Sequence, residues 1–161
     1  MATPVMAEMI GVEPGTSQDL DSVMAVMDQA FGDRFGEAWT RSQLSGILPM
    51  TGVSLMLAVD RSTGEAIGFS LCRTVADESE LLLIAVRPDH HRRGVGRKLL
   101  DQFFSSAQSD GVGRVHLEVR DGNPAVGMYR SAGFEPVGRR RNYYRAADGQ
   151  QFDAITLSRQ L

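Results

Sequence analysis

The sequence is poor in cysteine, lysine and long apolar runs, and each shortage closes off a class of protein. Cys72 is the single cysteine in 161 residues, so an internal disulfide framework and a cysteine-rich metal cage are both excluded. The longest unbroken apolar run, Leu81 to Val86, has six residues, against the ~20 that a membrane-spanning helix requires. No Lys or Arg precedes Arg34, which leaves no basic start for a secretory signal. Repeats, low-complexity tracts and a linker long enough to divide the chain are all missing. What is present is 42% hydrophobic and 23% charged, and a chain of this length buries roughly 70% of its unfolded surface. The expectation is one soluble, cytoplasmic domain over 1–161 with no membrane contact.

Negative charge dominates overall, at −3, which argues against general nucleic-acid binding, but the average conceals a polarity. Residues 1–80 carry 4 Arg and 12 acids, whereas residues 81–161 carry 12 Arg, Lys98 and 8 acids. A basic C-terminal half suggests an anionic ligand handled there. The ratio of 16 Arg to one Lys reads equally as compositional bias or as a use of the planar guanidinium.

Local patterns give the order of elements. Residues 6–12 form a short first strand. Thr16 caps a helix, with Asp19 three residues on and Leu20, Val23, Met24 and Met27 at helical spacing; Thr40 opens a second, with Gln43 completing the capping pair and Trp39 just before it. Strands over 53–60 and 65–75 are joined by Ser62, Thr63 and Gly64. Leu81 to Val86 reads as a strand buried on both faces, ended by Arg87-Pro88. After the loop Asp89 to Gly94, the residues Val95, Leu99, Leu100, Phe103, Phe104 and Ala107 make one helical stripe. Residues 114–120 alternate, with Val115, Leu117 and Val119 on one face and His116, Glu118 and Arg120 on the other. Asn123 caps and Pro124 opens a short helix that Gly133 closes. Phe134 to Tyr144 and Gln151 to Leu157 then pair around Asp148-Gly149. Mixed strands and helices of this kind predict an α/β or α+β single sheet.

The segment His90-His91-Arg92-Arg93-Gly94-Val95-Gly96-Arg97-Lys98 lies between the buried strand and a helix start. Two glycines let the backbone approach a ligand, and free N–H groups at a helix N-terminus bind phosphate oxygens. Arg92, Arg93, Arg97 and Lys98 add positive charge. A dinucleotide fingerprint would need glycine at position 99, which is Leu99, and no Walker Gly-Lys-Ser/Thr is present. A plain glycine turn with a solvated basic rim is the bland alternative.

This loop resembles the acetyl-CoA diphosphate loop of the GNAT superfamily of N-acetyltransferases, Gln/Arg-x-x-Gly-x-Gly/Ala, with His91 standing at its first position. His116-Leu-Glu-Val-Arg120, Asn123, Met128-Tyr129 and Gly133-Phe134 follow in the order and spacing of that family. A narrower likeness, carried also by Arg140-Arg-Asn-Tyr-Tyr144, Asp148-Gly149 and Asp153-Ala154, is to the bacterial ribosomal-protein alanine N-acetyltransferases. Where that branch has a Phe-Pro-x-Trp-Ser-like segment, this chain has Phe35-Gly-Glu-Ala-Trp39-Thr40. The resemblance implies a single mixed, mostly antiparallel sheet of about seven strands with about four helices, splayed between the fourth and fifth strands. It implies acetyl-CoA as co-substrate, no metal, and an amine acceptor, either a ribosomal-protein N-terminus or a small molecule.

The same resemblance implies site residues. Glu118 is the candidate general base, otherwise a solvated strand position paired with Arg120. Tyr129 is the candidate acid for the leaving thiolate, otherwise a core tyrosine on the stripe Ala125, Met128, Tyr129, Ala132. The backbone of Ile84, Ala85 and Val86 is expected to pair with pantetheine amides and polarise the thioester, an oxyanion contribution of ~3 kcal/mol. Arg92, Arg93, Gly94, Val95, Gly96 and Arg97 are expected to hold the diphosphate, and Asn123 to serve as helix cap and CoA contact. His90, His91 and His116 read as solvated rather than metal-binding. Tyr143 and Tyr144, adjacent on a strand, point to opposite faces, and Arg139 to Arg141 read as a solvated edge or an acceptor-guiding patch. Glu37 and the acids of 77–80 are the residues that would build a closed pocket for a small amine. A non-catalytic acyl-CoA-binding module is the third alternative, opposed by the presence of both Glu118 and Tyr129.

Overall fold

Capping chemistry sets where the first helices begin. Thr16 and Asp19 form a reciprocal pair, Thr16 N–H donating to Asp19 Oδ2 at 2.7 Å. They close a single 3-10 turn that runs on into α1 (Leu20–Ala30). Thr40 and Gln43 repeat the device at 2.8 and 3.1 Å and start α2 (Arg41–Ile47). In chain order the other elements are β1 (Ile10–Pro14), β2 (Val53–Asp60), β3 (Glu65–Val75), β4 (Glu78–Val86), α3 (Val95–Ser109), β5 (Arg114–Arg120), α4 (Val126–Ser131), β6 (Glu135–Arg145) and β7 (Gln151–Gln160). The computed structural model describes residues 9–161. The first strand is therefore displaced from the expected 6–12, and residues 6–8 lie outside the described part.

Seven strands form one sheet in the order β1-β2-β3-β4-β5-β7-β6. Neighbours are antiparallel except β4 and β5, which run parallel and are joined by the α3 crossover, as a parallel connection demands. One face carries α1 and α2, whose Val23, Val26, Met27 and Leu44 pack with Leu55, Phe69 and Leu83. The other carries α3 and α4, with Leu100, Phe103 and Phe104 against Val115, Leu117 and Leu157. The expected α3 stripe is buried from Val95 to Ala107. Among the described residues no helix is long and apolar enough to cross a membrane.

The run Leu81 to Val86 departs from simple alternation. Leu71 pairs with Leu83 and Cys72 with Leu81, so Leu82 is an extra residue in β4. Leu81 packs with the α3–α4 side, whereas Leu82, Leu83 and Ala85 pack with the α1–α2 side. A bulge of this kind bends its strand and sharpens the twist. Parallel pairing of β4 with β5 runs from Glu78↔Arg114 to Leu81↔Leu117 and no farther. The two strands therefore splay where the resemblance implied. Phe69 underlies this region and is fully buried. Phe69→Ala should cost about 3–5 kcal/mol through lost burial and the cavity left behind, read as a lower urea midpoint with an unchanged m-value.

Candidate active site

The splay opens a cavity of about 1100 Å³. It is walled by the freed part of β4, the end of β5, the loop before α3, the segment between α1 and α2, and Tyr143 and Tyr144 of β6. Strand alternation decides which main-chain groups face it. Arg87 N–H donates to Ile67 on β3, so by the two-residue period Ala85 also turns to β3 while Ile84 and Val86 turn to the split. Ala85, grouped with them from sequence, lines the cavity too, with its backbone in the β3 ladder. His91 Nε2 lies 3.1 Å from the Val86 carbonyl, tying the loop to the strand end.

Two left-handed residues, Arg92 at φ 62° and Gly94 at φ 78°, coil the loop before α3. No atom lies within 4 Å of where a Cβ on Gly94 would sit, so it is the backbone conformation, rather than crowding, that calls for glycine. Among the described residues the N–H groups from Arg92 to Arg97 donate to no acceptor. They form a concave row at a helix N-terminus, an arrangement suited to anions. Arg92 and Arg97 line the cavity, and Arg97 is also paired with Asp101 at 2.9 Å. Two of the expected cations do not reach it. Lys98 Nζ donates to the Ile10 carbonyl at 3.1 Å, because its place on α3 faces β1, and Arg93 lies outside the cavity lining, on the side of Asp60.

Glu118 is the first residue of β5 beyond the last rung shared with β4. Its side chain is 11% exposed, with Oε1 2.7 Å from Arg140 Nε and Oε2 buried without a partner among the described residues. Burial holds the carboxyl above its ordinary range. Arg140 opposes that effect, Glu80 adds to it, and His116 and Thr156 oppose it. The expected pairing of Glu118 with Arg120 is not what forms. Arg120 turns to Glu37 at 3.3 Å, because a segment far away in sequence covers the polar face of β5.

Tyr129 is placed by the ends of α4. Asn123 Oδ1 accepts from Ala125 N–H at 2.8 Å. At the other end Gly133 N–H donates to Arg130 and Phe134 N–H to Tyr129, at 3.0 and 3.1 Å, closing the helix with Gly133 in the left-handed region. The Tyr129 ring stands edge-on to Phe134 at 5.9 Å. It is buried in the core yet lines the cavity, so core packing and a place at the cavity are compatible. Burial pushes its phenol well above the ordinary range, keeping it protonated.

Tyr143 and Tyr144 both line the cavity rather than facing apart. The β6–β7 register shifts between Arg140 and Tyr144, and Asn142 adopts φ 53° with its N–H on Asp153 Oδ1 at 3.0 Å. Two arginines of this strand are engaged: Arg139 bridges Asp121 and Asp153 at 2.8 and 2.9 Å, and Arg140 pairs with Glu118. His90 is likewise held, by Asp89 at 2.9 Å. Among the described residues no group of three or more His, Cys, Asp or Glu is arranged to hold a metal.

A family model described as Acetyltransferase (GNAT) family matches residues 21–134. The [Ribosomal protein bS18]-alanine N-acetyltransferase of Escherichia coli K12 is 41% identical over 96 residues, 59% of this chain and 64% of that protein. The N-alpha-acetyltransferase RimI of Mycobacterium tuberculosis is 41% identical over 104 residues, 62% of each chain. These matches thus span less than two thirds of the length of the curated relatives. The crystal structure of the ribosomal-protein-S18-alanine N-acetyltransferase from Escherichia coli superposes with a TM-score of 0.84 at 29% identity, covering 94% of both chains.

The electrostatics predict a titration. In a carboxyl-detected NMR experiment Glu118 should titrate above the ~4.3 of an ordinary glutamate. Arg140→Gln removes a cation that favours the ionised form, so the midpoint should move further up; Glu80→Gln should move it down. A downward shift in the arginine variant would contradict the assignment.

Proposed function

The chain belongs to the acetyltransferase (GNAT) family, and from that premise we propose that it transfers an acetyl group from acetyl-CoA to a primary amine. The acceptor we assign is the N-terminal alanine amine of a small-subunit ribosomal protein, modified in the cytoplasm. One observation carries the reading: a single cavity joins an anion-ready row of N–H groups, an unpaired strand edge, a carboxylate with one free oxygen and a protonated phenol.

The residues present fit the co-substrate. Free N–H groups from Arg92 to Gly96, with the Arg92 and Arg97 side chains, suit a diphosphate. The outward backbone groups of Ile84 and Val86 suit the amides of a pantetheine arm, and an N–H there polarises the thioester carbonyl as charge develops on its oxygen. Acetyl-CoA supplies the acetyl group activated as a thioester. Glu118 Oε2 takes the proton that the amine loses as its nitrogen bonds the carbonyl carbon, directly or through water. Tyr129 gives its proton to the sulfur as the C–S bond breaks, and the products are an amide and CoA thiol. An α-amine suits this site because it titrates near ~8, whereas a lysine near ~10.4 is harder to deprotonate.

The alanine acceptor is supported by the 41% identity to the enzyme that acts on protein bS18 and by the open flank of the cavity, where Tyr143 is 51% exposed. In a CoA-release assay, a peptide beginning with Ala should be turned over with higher kcat/KM than polyamines, free amino acids or aminoglycosides. Glu118→Gln and Tyr129→Phe should each lower kcat on that peptide by on the order of 10²-fold or more, with acetyl-CoA affinity by calorimetry unchanged. A small amine outrunning every peptide would overturn the acceptor, and full turnover in both variants would overturn the roles.

A further inference from the structure

The proposed chemistry leaves a buried cation unused. Arg120 ends β5 two residues past Glu118, with its side chain 8% exposed. Its guanidinium carbon lies 3.6 Å from the centre of the Phe35 ring, and its Nε lies 3.3 Å from Glu37 Oε1. The other Glu37 oxygen accepts from Asn123 Nδ2 at 2.7 Å, while Asn123 Oδ1 accepts from Ala125 N–H in the turn before α4, whose N-cap is Ala125 rather than the expected Asn123. Both ends of the Asn123 amide thus have a partner inside the protein, while its Nδ2 carries a second hydrogen and the residue also lines the cavity. Phe35 also stands edge-on to Phe152 at 5.2 Å.

These contacts act on one segment, residues 31–40 between α1 and α2. Phe31, Ala38 and Trp39 pack on the α1–α2 core, but the backbone ties of the segment's middle are thin. Ala147 N–H reaches the Asp33 carbonyl at 3.4 Å, and Gly36 at φ 73° lies so close to Arg145 that a Cβ would approach its carbonyl oxygen to 2.0 Å. Segments with few backbone bonds open locally unless side chains hold them. Arginine suits the task because its weakly hydrated plane stacks on an aromatic face while its edge meets a carboxylate. Phe31, Glu37 and Trp39 of this segment line the same cavity as Glu118.

We propose that Arg120 is a positioning residue which, with Glu37, Asn123 and Phe35, clasps segment 31–40 onto the ends of β5 and β6, so that the acceptor-side wall of the cavity depends on this buried ion pair. The clasp also neutralises Glu37, making that wall a charge-compensated surface suited to a peptide rather than an anionic hole for a polyamine. The assignment of this wall to the acceptor rests on the reaction proposed above. The clasp itself does not.

Hydrogen–deuterium exchange on the full chain, paired with steady-state kinetics in which peptide and acetyl-CoA are varied separately, tests it. Glu37→Gln and Arg120→Met should each speed exchange over residues 31–40 while leaving α3 protected. Each should raise the peptide KM on the order of tenfold with the acetyl-CoA KM unmoved, and the double variant should be no worse than either single one, since the two side chains act as a unit. Arg120→Lys should recover only part, because an ammonium keeps the charge and loses the stacking. Should Arg120→Met fail to fold, the near-isosteric Glu37→Gln gives the same readout. Unchanged exchange over 31–40, or an acetyl-CoA KM that rises with the peptide KM, would overturn the clasp. If the wild-type chain acetylates no peptide, the acceptor reading falls while exchange still decides the clasp.

Discussion

One rung of hydrogen bonds decides the layout of this molecule. β4 and β5 pair as far as Leu81 and Leu117 and then part, and the parting begins where Leu82 is inserted as a bulge. A strand that kept its register would leave no room between the two, and its backbone would be satisfied within the sheet. The extra residue lets β4 turn away while still bonded to β3 on its other edge. Ile84 and the Val86 N–H consequently turn toward the cavity instead of a β5 partner, while the Val86 carbonyl is taken by His91. Unpaired groups beside apolar walls are costly for a folded chain, so this edge is suited to a ligand that carries amide groups of its own. The same parting uncovers the Glu118 side chain at the head of the split. Sheet geometry alone thus brings an acceptor edge and a carboxylate into one cavity.

Glu37, Glu80 and Glu118 line that cavity, and the environments of Glu37 and Glu118 give those two different characters. Both are 11% exposed by side chain and both face an arginine. Glu37 has one oxygen hydrogen-bonded by Asn123 and the other in an ion pair 3.3 Å from Arg120 Nε. Glu118 meets an arginine that is itself 63% exposed, and its second oxygen is unpartnered. Burial raises its pKa while Arg140 restrains the rise, a balance suited to a group that must be ionised at rest and still accept a proton. Similar burial therefore yields one fixed carboxylate and one able to react.

Much of this was legible in the sequence, for identifiable reasons. Local signals survived folding intact: the Thr16 and Thr40 caps, the α3 stripe, the alternation of Val115, Leu117 and Val119, and the Gly133 stop all reflect interactions within a few residues. Glu118, Tyr129 and the glycine loop were found because their spacing resembles a family, and the cavity does bring them together. What sequence missed lies across long separations or inside irregular backbone. Arg120 was read against its neighbour Glu118, whereas its partner Glu37 lies 83 positions earlier in the numbering. Period-two reasoning sent Tyr143 and Tyr144 to opposite faces, and it fails there because Asn142 takes a left-handed conformation that breaks the ladder. Leu81 to Val86 was read as buried on both faces; the apolar packing is there, but hydrophobicity alone cannot reveal a bulge that redirects half of it.

The basic C-terminal half is the instructive case, since charge draws attention to side chains while the loop also offers main-chain donors. Several of those arginines are already answered by carboxylates inside the protein: Arg87 by Glu65 and Asp89, Arg120 by Glu37, Arg139 by Asp121 and Asp153, Arg140 by Glu118. Even Arg97, at the mouth of the loop, shares its charge with Asp101. The groups left without acceptors are main-chain N–H groups between Arg92 and Arg97, held in place by Gly94 and by the left-handed turn at Arg92. A site built from backbone depends on conformation more than on side-chain identity. That explains why His91 can stand where the family pattern has Gln or Arg: its ring bonds the Val86 carbonyl, and what the position must supply is an anchor for the loop rather than a charge.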